Sequence, residues 1–158
     1  MAFALWAIGK QKFEYLDQGI EAFSQRIRHY YRFDYQVFQQ IKYRSKNLPD
    51  QIKSDEWQVI ESNLKPQDLL ILLDERGKEF TSVGFAEWIE KSLSTHPGKR
   101  MVFVIGGAFG FAPEAYARAD QRLSLSRMTY SHLLARLIFI EQLYRACTII
   151  RGESYHNE

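Results

Sequence analysis

Three stretches of the chain are apolar at consecutive positions, FALWAI at 3–8, LLILL at 69–73 and MVFVI at 101–105. Runs of that kind, each stopped by glycine or charge, predict strands covered on both faces of a parallel sheet. Elsewhere the period changes. Phe13, Leu16, Ile20, Phe23, Ile27 and Tyr30 step by three or four and predict a helix over 13–31. FDYQVFQQI at 33–41 is rich in β-formers and partly alternates, so it predicts a second strand. The Pro49-Asp50 turn signal precedes a helix over about 51–63, and Ser82 is placed to cap a helix that carries Phe85, Ala86, Trp88, Ile89 and Leu93 and stops before His96-Pro97-Gly98. Pro113 and Glu114 suit the first turn of a helix over 113–119, and RLSLS at 122–126 alternates as a short strand. From Ser131 the pattern is helical again, with Leu133, Leu137, Ile140, Tyr144 and Cys147 on one stripe widened by Leu134 and Ile138. Strand and helix therefore alternate, which predicts an α/β fold with a mostly parallel sheet in one domain over 1–158.

Two of the buried strands run straight into loops that can carry chemistry. The strand at 69–73 is followed by Asp74-Glu75-Arg76-Gly77-Lys78, and the strand at 101–105 by GGAFG at 106–110. In open α/β sheets ligands bind beyond the carboxyl ends of strands, so the two loops are expected to face one crevice. Gly106, Gly107 and Gly110 permit positive φ and close backbone approach, although a tight strand-to-helix turn explains them equally well. A phosphate-binding P-loop is excluded, because Phe111-Ala112 stand where Lys-Ser/Thr would be required.

Composition changes the picture little. The 158 residues are 25% charged and 46% hydrophobic with a net charge of +2, a mildly basic globular chain whose charge names no partner. Cys147 is the single cysteine, so no internal disulfide can form and a cytoplasmic location is expected. Neither a membrane span nor a targeting leader is expected from the pattern.

Four stretches together carry a resemblance: LDERGK at 73–78, FVIGGAFG at 103–110, LSLSRMTYSH at 123–132, and EQLYRA at 141–146 with YHNE at 155–158. In order and spacing they resemble the RlmH family of ribosomal large-subunit pseudouridine N3-methyltransferases, of the SPOUT class, over essentially the whole chain. The resemblance implies a C-terminal trefoil knot, a homodimer, and S-adenosylmethionine bound in the knot. It implies methylation at N3 of a pseudouridine in a stem-loop of 23S rRNA, in the assembled ribosome, with neither membrane nor DNA as a partner. Cofactor contacts carry over to Leu73, Gly106, Leu125, Ser126, Arg127, Met128, Thr129 and Tyr130. A slot with apolar walls and backbone groups at its edge suits adenine, yet Leu73 and Met128 could equally be plain core residues.

Methyl transfer from a sulfonium is an in-line displacement, so the protein must place the acceptor nitrogen and help remove its proton; no metal is required. His132, His156 and Glu141 are the candidates to assist, with Tyr155, Arg136 and Arg145 orienting or stabilising charge. In the family the tail completes a site at the dimer interface, which ranks His156 and Tyr155 above His132. Glu141 and Arg145, four apart on a helix, also suit a simple intrahelical pair, and His29 and His96 are assigned structural roles. Asn157 stands where many relatives carry a basic residue. Arg26, Arg28, Arg32, Lys42, Arg44 and Lys46, mixed with Tyr30, Tyr31, Tyr35 and Tyr43, offer a surface for phosphates and unstacked bases, or else an ordinary solvated face. Two alternatives stay open: a SPOUT protein that binds RNA without turnover, and a SPOUT methyltransferase with another RNA target.

Overall fold

In the computed structural model, which describes residues 2–9, 14–39 and 48–156, the apolar runs are strands packed from both sides. The elements are β1 (Ala2–Ile8), α1 (Glu14–Arg28), β2 (Arg32–Phe38), α2 (Pro49–Glu61), β3 (Leu69–Glu79), α3 (Ser82–Thr95), β4 (Arg100–Ile105), α4 (Pro113–Arg118), β5 (Gln121–Ser124) and α5 (His132–Ile150). The strands form one sheet in the order β2-β1-β4-β3-β5, and every pairing is parallel. Phe3, Leu5, Ile71 and Phe103 point to the side covered by α1, α3 and α5, where Ile20, Ile27, Phe85, Phe139 and Leu143 meet them. Trp6, Leu70, Leu72, Val102 and Val104 point to the other side, against Trp57 and Ile60 of α2 and Ala115 of α4. A strand buried on both faces has no reason to alternate, which is why these runs do not. Each fully buried Leu, Ile or Phe contributes about 1.5–3 kcal/mol, so the two faces supply most of the folding free energy.

The register brings strand ends together. Ile105 pairs with Ala7 on one side and with Leu73 on the other, so β1, β4 and β3 finish side by side. Beyond Leu73 the expectation of a simple loop needs correction. The chain leaves the ladder and returns to it, because Leu123 of β5 pairs with both Leu73 and Lys78, and Glu79 pairs with Ser124. Residues 74–77 are thus a bulge over β5, and Gly77 crosses it so closely that a Cβ there would lie 2.5 Å from the main-chain N and C of Leu123.

Three local expectations also shift. Thr81, not Ser82, caps α3, its Oγ1 accepting from Gly84 N at 3.0 Å, while the Ser82 hydroxyl donates to Gln142 Oε1 at 2.9 Å. α2 begins at Pro49, in the first turn, where proline's missing N–H costs nothing. On α5 the buried positions are Arg136, Phe139, Ile140, Leu143, Ala146, Cys147 and Thr148, so Leu133, Leu137 and Tyr144 lie at the flank of the stripe. The helix is apolar over most of its circumference, and its own period could not say which side met the sheet. Among the described residues no helix is long and apolar enough to cross a membrane.

Candidate active site

Beyond the ends of β3 and β4 lies a cleft of about 590 Å³ walled by Leu73, Asp74, Ile105, Gly106, Tyr130 and His132 among others. A cavity of about 160 Å³, lined by residues 124–130 together with Leu73, Ile105 and Ala135, shares several of those walls. Each of the eight positions proposed for cofactor contact, Leu73, Gly106 and 125–130, therefore borders one or both of two cavities that share Leu73, Ile105, Tyr130 and His132 as walls. Local hydrogen bonds explain the shape of its walls. Gly110 N donates to Gly107 O at 3.1 Å and closes the glycine turn. Below it the buried Glu56 carboxylate lies so close to Gly107 that a Cβ would meet its Oε1 at 2.6 Å, so any larger residue there would have to displace that carboxylate. Ser126 Oγ accepts from Met128 N at 2.9 Å, and Ser124 Oγ donates to Ser126 O at 3.1 Å, which shapes the 124–128 turn. The bulge is held by Asp74, which accepts from Arg76 N at 2.8 Å and from the Tyr116 hydroxyl at 2.5 Å. Burial, and then the bond to Asp74, push the Tyr116 phenol up to about 12, so it remains a donor at neutral pH.

A second group of polar residues gathers around Glu141 on α5. Arg145 donates to Glu141 Oε1 from Nε at 3.1 Å and Nη2 at 2.6 Å, Tyr155 OH donates to the same oxygen at 3.1 Å, and Gln142 Nε2 donates to Oε2 at 2.7 Å. The Arg145 guanidinium lies 4.7 Å over the Tyr155 ring, and its Nη1 is 3.1 Å from His156 Nδ1. Tyr155 also packs edge-on against Tyr144 at 4.8 Å. Burial, followed by the Glu141 charge, raises the Tyr155 pKa. Tyr30 donates to Glu153 Oε2 at 2.6 Å and ties the tail to the end of α1. The tail is thus docked on its own α5.

Comparison with known proteins places this arrangement. The family described as "Predicted SPOUT methyltransferase" matches residues 1–156. The chain belongs to the SPOUT methyltransferase family. It is 45% identical to the ribosomal RNA large subunit methyltransferase H of Christiangramia forsetii, with 99% of each chain covered. It is 46% identical to the protein of the same name from Parabacteroides distasonis, with both chains covered in full. Among solved structures, a probable methylase family protein from Haemophilus influenzae is similar in fold, with a TM-score of 0.51 at 10% identity over 99% of this chain and 70% of that one.

Within this SPOUT methyltransferase the expected site residues fall into two groups. His132 lines the cleft with the cofactor positions, whereas Arg145, Tyr155 and His156 surround Glu141, roughly 13 Å further along α5. Arg136 joins neither group. It is 1% exposed and its Nη2 donates to Ile8 O at 3.2 Å, which ties α5 to the end of β1. Met128 is 73% exposed, so a core role is excluded for it, while Leu73 is half-buried. Of the basic and aromatic surface, Arg26 stacks on Phe23 and Tyr144, Arg28 pairs with Glu21 at 3.1 Å, and Tyr31 packs on Phe3. Lys42, Tyr43, Arg44 and Lys46, like Asn157, lie outside the described residues. Lys53, Glu56 and Tyr116 were not expected at the site. Glu56 had a visible signal, a carboxylate in line with Ile52 and Ile60 on the buried face of α2.

Proposed function

We propose that the protein methylates N3 of a pseudouridine in a stem-loop of 23S rRNA, using S-adenosylmethionine, as a cytoplasmic homodimer acting on the assembled ribosome. The observation that carries the proposal is the pair of adjoining cavities that Leu73, Gly106 and the run 125–130 border between them, three distant stretches of sequence meeting at strand ends. The names of the relatives support the substrate. The cleft suits the cofactor in size, since such sites span about 300–1,000 Å³. It suits it in chemistry too: Leu73, Ile105, Leu125 and Ala135 offer apolar walls, and the main chain of Gly106 and 125–130 offers donors and acceptors for a polar edge. The cofactor supplies an electrophilic methyl group. The residues of the chain hold it, exclude water and orient the acceptor base; His132 lies beside it, and Tyr155, His156 and Arg145 serve the cleft of the second subunit.

Two features support the dimer. Leu134 and Met128, large apolar side chains beside the cleft, are 39% and 73% exposed, and Leu133, Leu137 and Ile138 of α5 are only partly covered. A second copy of α5 is the natural cover for such a face. The tail cluster, moreover, stands apart from its own cleft. The test is transfer of labelled methyl from S-adenosylmethionine to ribosomes lacking the protein's own modification, with the labelled nucleoside identified by mass spectrometry. Label on a large-subunit pseudouridine is expected; no label despite measured cofactor binding would leave an RNA-binding protein, and label elsewhere another RNA target.

A further inference from the structure

The contact between Arg145 and His156 fixes more than the position of the tail. A guanidinium has five N–H donors, no acceptor, and keeps its proton at any accessible pH. At 3.1 Å from Arg145 Nη1, His156 Nδ1 can only accept. A ring whose Nδ1 accepts carries its proton on Nε2. Rotation of Arg145 away from the ring is resisted by its two bonds to Glu141 and by its stacking on Tyr155. Among the described residues, the charged and titratable groups that gather beside the imidazole include Arg145 and Glu141 of α5 and Tyr155 of the tail.

We propose that His156 acts in the methylation as a hydrogen-bond donor through Nε2–H, and not as the base that takes the imino proton. The inference rests on the pseudouridine methylation proposed above. The acceptor nitrogen lies between two carbonyl groups, so loss of its proton spreads negative charge onto their oxygens. A fixed N–H aimed at one of them stabilises charge that grows during the reaction, where it has most effect. The atoms balance without a protein base: the nitrogen–methyl bond forms as the methyl–sulfur bond breaks, sulfur leaves as a neutral thioether, and the proton passes to solvent water. Glu141 is poorly placed to take that proton, since Oε1 already accepts from Arg145 and Tyr155 and Oε2 from Gln142. Arg145 is then a positioning residue, which sets the tautomer of His156.

Two measurements test this on the full-length protein. Glutamine at this position can present a side-chain N–H but cannot take up a proton near neutrality. His156→Gln is expected to keep methyl transfer within about tenfold of wild type with an unchanged pH profile, whereas His156→Ala loses about a hundredfold, the usual cost of one donor to a developing oxyanion. Nitrogen NMR of ring-labelled histidine, assigned by the signal missing in His156→Gln, is expected to show Nδ1 bare and Nε2 protonated at pH 7. Transfer by His156→Gln no better than by His156→Ala, or a bare Nε2 in the NMR experiment, overturns the donor role alone. Wild-type protein that labels no pseudouridine overturns the proposed function, and with it this role, whatever the tautomer.

Discussion

Replacing Gly77 by alanine puts the bulge over β5 under direct strain. The added Cβ would stand 2.5 Å from both N and C of Leu123 and 2.7 Å from C of Arg122. Non-bonded heavy atoms rest about 3.5–4.0 Å apart, so the two segments must separate by about 1 Å. The atoms in the way are main chain, and no side-chain rotation relieves them. Separation also pulls on a strand that is fastened at two places, since Leu123 pairs with Leu73 before the bulge and with Lys78 after it. Overpacking of this kind costs about 1–3 kcal/mol, and a weakened ladder hydrogen bond about 1 more. A loss near 3 kcal/mol lowers Tm by about 6–12 °C in a chain of this length.

The assay is thermal unfolding at one fixed protein concentration, because the proposed dimer makes Tm depend on concentration. Calorimetric binding of S-adenosylmethionine accompanies it. β5 ends at Ser124 and residues 125–130 follow directly, so the displacement reaches the cleft wall, and affinity is expected to fall at least about tenfold, equivalent to 1.4 kcal/mol. Gly84→Ala is the control. Its Cβ would meet the side-chain atoms Thr81 Oγ1 at 3.2 Å and Phe80 Cδ1 at 3.8 Å and no main chain, so Tm is expected to change by much less than in Gly77→Ala. Gly77→Ala with wild-type Tm and affinity would refute the idea that the bulge and β5 are fixed by that crossing.

His156→Ala is expected to leave cofactor affinity within about twofold of wild type while transfer falls; parallel losses in both would place His156 in the cofactor cleft instead. Tyr116 should titrate near pH 12 against an ordinary 10.0, seen as a phenolate signal missing from Tyr116→Phe. Because its folded pKa is the higher one, its stabilising contribution is complete below pH 10 and is lost as pH rises through 12; the stability gap between wild type and Tyr116→Phe should close over that window. Charge reversal at Arg44 and Lys46 should weaken ribosome binding and flatten its dependence on salt, and equal affinity at low salt would remove this surface from RNA binding.

What the sequence could reveal followed from which interactions are local. Runs 69–73 and 101–105 were legible as buried strands because both faces of each are covered, and the residues themselves record that burial. The return of Lys78 and Glu79 to the ladder was not legible, since it depends on Leu123 and Ser124, more than forty positions away. Choosing Ser82 over Thr81 as the cap failed for a similar reason: either hydroxyl can cap, and the distant Gln142 occupies that of Ser82. Arg136 was expected to orient the substrate or stabilise charge, yet it is buried and its Nη2 reaches the Ile8 carbonyl at the end of β1, a contact between positions 128 apart. The resemblance selected the cofactor positions, and the strand ends gave them a common place; neither pointed to Tyr116, whose role depends on Asp74 across the bulge.

The separation of the two polar groups constrains how the proposed enzyme works. A helix is stiff, so the distance along α5 from His132 to Glu141 cannot be taken up by bending. The tail cannot swing to its own cleft cheaply either, because it would surrender the bond from Tyr155 to Glu141, the packing of Tyr155 on Tyr144 and the bond from Tyr30 to Glu153. In the proposed homodimer a twofold axis across the exposed side of α5 would remove the conflict. Two such helices packed face to face would bring each Glu141 cluster to the other's His132, and symmetry would make the exchange reciprocal. The apolar side chains left half-exposed around Leu134 would then form the proposed contact between subunits. On this reasoning a monomer could still bind the methyl donor, but it would lack the donor N–H and the arginine that positions it, so loss of the dimer should abolish transfer before it abolishes cofactor binding.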